Sequence, residues 1–488
     1  MKDFISLLRI DRREFMQINA LAGARLLAIP RSGAAEEAVE LKPAALLEGL
    51  KTETGDTPLE GAVWYVAEKE NAGMLYTFPK GALAEAACLS SDLLLDGNRL
   101  AVFIMTLQEG EAGPRFTLRY MNLTQVQSRI RFPLENVNMN RWRLEREGAW
   151  LKPICGGERV DLREVDRLTI TILHKSDEPV RWCQTPLRVT KDEPSRLAKP
   201  LLTKGPLLDE LGQSTLHVWP GKVSGPGELV KLLTAQKVAA AGKKWPDSFN
   251  RWGGWKDKKI EATGFFRTHH DGRRWWLADP EGCLFWSAGL DCVRPGIDSY
   301  CGDLENALTW MPDREGEYKA IHGNRSLDYL KANFIRAFGP EKWHDEWAAI
   351  ALSQLREFGF NTVANWSEWQ IARDARVPYV RPLSTRLRRS KMIYRDFPDV
   401  FHADFKRDAQ EYGEQLRDTL DDPALIGYFL MNEPTWGFSR EAPAAGMLFN
   451  TPACETRQEL ARFLGKKYGG SAALAKAWNI QATLEEIA

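Results

Sequence analysis

Residues Asp421–Trp436 read DDPALIGYFLMNEPTW, an apolar run that ends in Asn432-Glu433-Pro434. Leu425 to Met431 has the length and composition of a buried strand, and Pro434 stops it. A buried carboxylate without a partner is costly, so an acid at the tip of such a strand needs a reason. A strand end that opens onto a polar catalytic face supplies one.

Working outward, the preceding 160 residues alternate strands and helices. GFFRTHHDGRRWWLADPEGCLFWSAGLDCV (264–293) opens with two runs joined by Asp271-Gly272, a strong hairpin signal. After the turn at Pro280-Glu281-Gly282, Cys283–Asp291 reads as an apolar strand. EWAAIALSQLREFGF (346–360) has helical spacing, with Ile350, Leu352, Leu355 and Phe358 on its apolar side. NTVANWS (361–367) and VPYVRPL (377–383) read as strands. DFKRDAQEYGEQLRDTL (404–420) reads as a helix through Phe405, Ala409, Tyr412, Leu416 and Leu420. Alternation of this kind predicts a parallel sheet covered by helices.

The amino-terminal part differs. From about 36 to 195 the runs RLAVFIMTLQEG, RFTLRYMNLT, RIRFPL and RLTITILHK are short, partly alternating and separated by Gly, Asn and Asp clusters. They predict a β-sandwich over 36–195. Residues 196–259 read as a Pro-punctuated linker and helical wrap, with GELVKLLTAQKVAAAG a helix carrying Leu229, Leu232, Leu233 and Val238. Residues 260–488 hold the βα pattern. Ahead of all this, 1–35 contains Arg12-Arg13, then Phe15, then a short apolar run. It resembles a twin-arginine export signal, with Asp11 and Arg25 departing from the pattern. The alternative is an amphipathic helix folded on the body. The apolar run is too short to span a bilayer.

Composition bounds the function classes. Lys+Arg and Asp+Glu both total 66, so the formal net charge is zero, which argues against a nucleic-acid or anionic-membrane partner. The 18 tryptophans favour a ligand with flat apolar faces, such as a sugar ring. Seven widely spaced cysteines without a C-x-x-C make neither a zinc framework nor a disulfide scaffold. No metal or cofactor is expected.

In parallel α/β barrels the reactive groups gather at the carboxyl ends of the strands. After the successive apolar runs stand Asp291 and Arg294, then Asn365 and Trp366, then Arg381, then Asn432 and Glu433. Amides, carboxylates and indoles at one rim suit a neutral, hydroxyl-rich substrate. Glycoside hydrolysis needs an acid to protonate the leaving oxygen and a second carboxylate as nucleophile or base. Glu433 is placed for the first role, Asn432 for a sugar hydroxyl, and Trp436 for a stacking wall. Asp291, Arg294, Asn365 and Trp366 are candidate substrate contacts. Glu368 reads as a helix-start residue, His217 as a packing histidine and His269-His270 as exposed beside a turn. The long connection from Cys292 to His344 offers Tyr300 and Trp310 as substrate walls.

On GFFRTHHDGRRWWLADPEGCLFWSAGLDCV, FGFNTVANWS, FPDVFHADF and DDPALIGYFLMNEPTW, the chain from about 200 to 480 resembles glycoside hydrolase family 50. These are the β-agarase-like (β/α)8 barrels of clan A, with a sandwich ahead of the barrel. The resemblance implies a TIM barrel and a retaining mechanism in which Glu433 is the general acid/base. It implies β-linked galactans, agarose or its oligosaccharides, as substrates. It also implies a nucleophilic Glu on strand 7. Only 55 residues follow Glu433, and they read as a loop and helices. Four further βα units need on the order of 100 more residues. The expectation is therefore a truncated first half-barrel whose nucleophile lies beyond Ala488, with apolar strand edges exposed. Two other readings remain: a different clan A glycosidase, of β-galactosidase or β-mannanase type, and a carbohydrate-binding protein without hydrolysis.

Overall fold

The computed structural model describes residues 38–138, 150–173, 178–297, 299–384, 387–438 and 442–488. The twin-arginine-like segment lies outside the described residues. The chain forms two compact units. One runs through Asp209 and also takes in Ser214–Val218 and Cys301–Met311; the other comprises Glu210–Gln213, Trp219–Tyr300 and Pro312–Ala488.

The first unit is built from two antiparallel sheets. In one, Cys88–Asp96 is the spine: Gln127–Pro133 pairs along one edge, and Val180–Gln184 and Leu187–Thr190 along the other. The second sheet has six strands, with Ala101–Gln108 between Arg115–Asn122 and Arg167–Leu173. Period-2 alternation explains the layering. Phe103, Met105 and Leu107, Phe116, Leu118 and Tyr120, and Leu168, Ile170 and Ile172 point into one core. Leu89 and Leu93 of the first sheet join it. Trp182 fills the centre, stacked on Tyr65 at 5.7 Å and edge-on to Phe103 at 5.3 Å.

The segment just after the sandwich is less of a linker than its prolines imply. The backbone N–H of Gln127 donates to Leu201 and that of Thr203 to Gln125, while Leu207 and Leu208 donate to Ala307. Leu304 and Ala307 pack with Val126, Leu202 and Leu207. Trp310 accordingly belongs to this unit.

The second unit begins with helix α1 (Pro226–Ala240), which buries Leu229 and Leu233 against α2 (Tyr329–Phe338) and α3 (Trp343–Glu357) through Phe334, Trp347 and Ile350. Leu232 and Val238 are exposed, contrary to the apolar face expected for them. Phe358 also faces water, because α3 ends one residue before it.

A four-stranded antiparallel sheet follows, in which Trp255–Lys259 pairs with Cys283–Phe285, which pairs with Trp275–Ala278, which pairs with Arg267–His270. The Asp271-Gly272 turn forms the hairpin predicted for it. Cys283–Asp291 is not one strand. Cys283–Phe285 lies between Trp255–Lys259 and Trp275–Ala278 in the antiparallel sheet, and Gly289–Leu290 begins a different, parallel sheet. The crossing is pinned by Asn361, whose Oδ1 accepts from the Ala288 N–H and whose Nδ2 donates to the Trp286 and Gly253 carbonyls.

That parallel sheet has four strands in sequence order: β1 (Gly289–Leu290), β2 (Thr362–Val363), β3 (Tyr379–Pro382) and β4 (Leu425–Phe429). Helices α3, α4 (Trp369–Asp374) and α5 (Ala403–Glu414) lie between strands in the chain, so the βα alternation is present. Val363 and Tyr379 pack with Leu352, Leu355, Ala372 and Ala424 into the sheet–helix core. β2 is buried, whereas β1 is exposed and every residue of β4 is half-buried. The sheet is a half-barrel set of strands.

Candidate functional site

The carboxyl ends of β1, β2 and β4 share an unusual backbone feature. Cys292 follows β1 with φ 59°, Trp366 follows β2 with φ 57°, and Glu433 follows β4 with φ 39°. Left-handed backbone at non-glycine residues costs on the order of 1–3 kcal/mol each and is maintained only where the surroundings impose it. Here it coincides with the rim picked out from sequence.

β1 and β2 are tied together past their ends. The Asp291 Oδ1 accepts the Asn365 N–H at 2.9 Å, and the Asn365 carbonyl accepts the Cys292 N–H at 2.9 Å. Ser367 Oγ accepts the Val293 N–H at 2.9 Å. The Asp291 carboxylate therefore positions the β2 end. Asn365 itself is 7% exposed, and neither its Nδ2 nor its Oδ1 has a hydrogen-bond partner among the described residues. An amide buried without partners is expensive, so this side chain weighs against the stability of the β2 end.

Trp366 is 44% exposed and sets its ring edge-on to Phe429, the last residue of β4, at 5.9 Å. The β2 end thereby reaches the β4 end. Asn432 and Glu433 are both exposed there. Trp436 is half-buried, its ring against Phe397 at 5.4 Å, and its backbone N–H donates to Asp396 Oδ1 at 3.1 Å. Asp396 also accepts from the Thr435 N–H and hydroxyl. Burial pushes the Asp396 carboxyl up, but these hydrogen bonds outweigh it and leave its pKa below the ordinary value. Asp396 thus holds the loop after Glu433; no sequence motif singles it out. Arg294 is exposed.

Arg381 does not join the rim. Residues at β3 positions 379 and 381 point to the helices: Tyr379 stacks on Trp369 at 5.8 Å, and the Arg381 guanidinium lies 4.5 Å from the same ring. Arg381 donates to Thr419 Oγ1 at 2.8 Å, and the Tyr379 hydroxyl donates to Asp422 at 2.7 Å. Burial first, then that bond to Asp422, raises the Tyr379 pKa. This network fixes the Asp421-Asp422-Pro423 entry to β4. Glu368 takes the N-cap position of α4, and its carboxylate meets His344 Nε2 at 2.7 Å. Tyr300 lies in a two-residue ladder under the Arg325 guanidinium, 5.2 Å from its ring. All seven cysteines are free thiols.

The described strand ends thus carry an amide, an indole and a carboxylate on a four-stranded parallel sheet, in a chain whose earlier residues form an antiparallel sandwich. The comparisons with known proteins find similarity to β-agarases. It is 24% identical over 321 residues to "Beta-agarase B" of Vibrio sp. (strain JT0107), a match taking in 56% of this chain and 34% of that protein. It is 27% identical over 267 residues to "Beta-agarase A" of the same organism, covering 47% of this chain and 26% of that protein. The chain thus spans about a third or less of these relatives. Among solved structures, an exo-β-agarase superposes with a TM-score of 0.55 at 18% identity, covering 92% of this chain and 71% of that one. Another agarase gives 0.54 at 16% identity, covering 92% and 72%. No family model matches.

Proposed function

We propose that the protein is an exported glycoside hydrolase that cleaves β-linked galactans, agarose or its oligosaccharides, by a retaining two-carboxylate mechanism. The observation that carries this reading is Glu433, held exposed in left-handed backbone four residues past the end of the parallel strand whose last residue, Phe429, meets Trp366. In this reading β1 to β4 form the first half of a (β/α)8 barrel.

Glu433 protonates the glycosidic oxygen as the bond breaks, then as a carboxylate removes a proton from the water that releases the sugar. Asn432 donates to the sugar hydroxyl next to the reacting carbon, where contacts strengthen in the transition state. Trp366 and Trp436 stack on pyranose rings, while Asn365 ties the end of β2 to β1 through its backbone N–H and carbonyl. The second carboxylate of a retaining pair lies roughly 5–5.5 Å from the first; which residue supplies it is open to identification by trapping the glycosyl-enzyme. Export rests on Arg12-Arg13 and Phe15.

The test is Glu433→Gln with agarose oligosaccharides and with a substrate whose leaving group needs no acid. Loss of hydrolysis of the natural linkage, with azide restoring turnover of the activated substrate, is expected. Hydrolysis by Glu433→Gln at the wild-type rate, or a product of inverted configuration, overturns the reading.

A further inference from the structure

We propose that a tryptophan-lined cleft in the four-stranded antiparallel sheet is a second galactan-binding site, at the amino-terminal end of the parallel sheet and separate from the Glu433 rim. The proposal rests on the galactan-directed reading above. The cleft has a volume of about 420 Å³ and is walled by Phe249, Trp255, Trp276 and Trp286, with Ser248 and Arg274 as polar members. That volume falls within the roughly 300–1,000 Å³ typical of ligand sites.

The chain path places it. Cys283–Phe285 pairs with Trp255–Lys259 and with Trp275–Ala278, and the chain then enters β1 at Gly289. Asn361, just before β2, donates to the carbonyls of Gly253 and Trp286. The cleft wall is therefore fastened to the amino ends of β1 and β2. Asn432 and Glu433 follow the carboxyl end of β4. In a parallel sheet those two ends lie on opposite sides.

The lining is exposed and already fixed in shape. Trp286 is 63% exposed and Trp255 39%. Leaving indole faces in water forgoes the stabilisation that packing would give them. Trp276 and Trp286 meet at 5.9 Å and 73°, forming a corner with two wall planes. The Trp276 Nε1–H donates to Asp271 Oδ2 at 2.7 Å, and Asp271 Oδ1 accepts the Arg273 and Arg274 N–H groups, both at 2.8 Å. The hairpin turn and the ring orientation are thus locked together by one carboxylate. The Arg274 guanidinium lies 5.4 Å from the Trp276 ring centre.

Such a site takes a ligand with a flat C–H face for the indoles and hydroxyls at its edge for Arg274 and Ser248. A pyranose ring has both. Because the walls are pre-formed, binding does not have to order them first. On a polymeric substrate a remote foothold raises the effective concentration of chain at the catalytic rim.

The experiment is calorimetric titration of the full chain with a soluble agarose oligosaccharide, comparing wild type, Trp286→Ala, Trp255→Ala and Glu433→Gln. Two classes of site are expected, one of them weakened about tenfold by each tryptophan variant, which corresponds to about 1.4 kcal/mol. Glu433→Gln leaves that class unchanged. Retention on solid agarose falls in both tryptophan variants, while hydrolysis of short soluble substrates stays at the wild-type rate. Oligosaccharide binding that is undiminished in both tryptophan variants overturns this inference and leaves the proposed function standing. Failure of the wild type to bind any galactan overturns both.

Discussion

Replacing Asn365 with Leu separates binding from stability at the rim. The side chain is buried, yet its Nδ2 and Oδ1 have no partner among the described residues. Leaving one buried donor or acceptor unmet costs about 1–3 kcal/mol, and an apolar group of similar shape removes that cost. Leu also adds apolar surface in a place already screened from water, offset by some crowding. A net stabilisation of about 1–3 kcal/mol is expected. The backbone ties survive, since Asn365 uses only its N–H and carbonyl toward Asp291 and Cys292. At the scale of a 150–250-residue domain each kcal/mol moves Tm by about 2–4 °C. Urea unfolding followed by tryptophan fluorescence should show a higher midpoint with an unchanged slope. Affinity for agarose oligosaccharide should stay within about twofold of wild type in the same variant, because the amide atoms are closed to a ligand as they are to water. A destabilised Asn365→Leu protein would refute the reasoning, since it would mean the amide is already satisfied. A tenfold or greater fall in affinity would refute the premise that the amide is closed to ligand.

Two further outcomes follow from groups away from the rim. Arg457 is buried, with Nε donating to the Ile487 carbonyl at 2.7 Å, Nη1 to Thr451 at 2.7 Å and Nη2 to Glu486 at 2.6 Å. Arg457→Met should cost about 2–4 kcal/mol by stranding those carbonyls, read as a lower denaturant midpoint. Asp408 accepts from the Ser390 hydroxyl and from the Arg389 and Ser390 N–H groups, which hold its pKa at about 2 against an ordinary 3.8. A carboxylate lowered by folding contributes stability that is present above 3.8 and lost as pH falls toward 2. Asp408→Asn should therefore be less stable than wild type near neutrality, with the gap closing across that acid window in a pH series of unfolding curves.

The sequence by itself determined the local elements. Alternation in Ala101–Gln108, Arg115–Asn122 and Arg167–Leu173 sets which side chains face the sandwich core, because a strand's period is fixed at two. Asp271-Gly272 specified its hairpin, and the apolar run before Asn432 specified β4. Each is a property of neighbours in the chain. What depended on distant residues was decided by tertiary structure. Asn361 pins Trp286 and Ala288 and so divides Cys283–Asp291 between two sheets. Trp369 draws Arg381 to the helix side, away from the rim. Leu304 and Ala307 pack with Val126 and carry Cys301–Met311 into the first unit. The Asn365 side-chain amide has no hydrogen-bond partner among the described residues, a fact no spacing encodes. Periodicity tells a side chain which face it occupies; only packing in three dimensions tells it what it meets there.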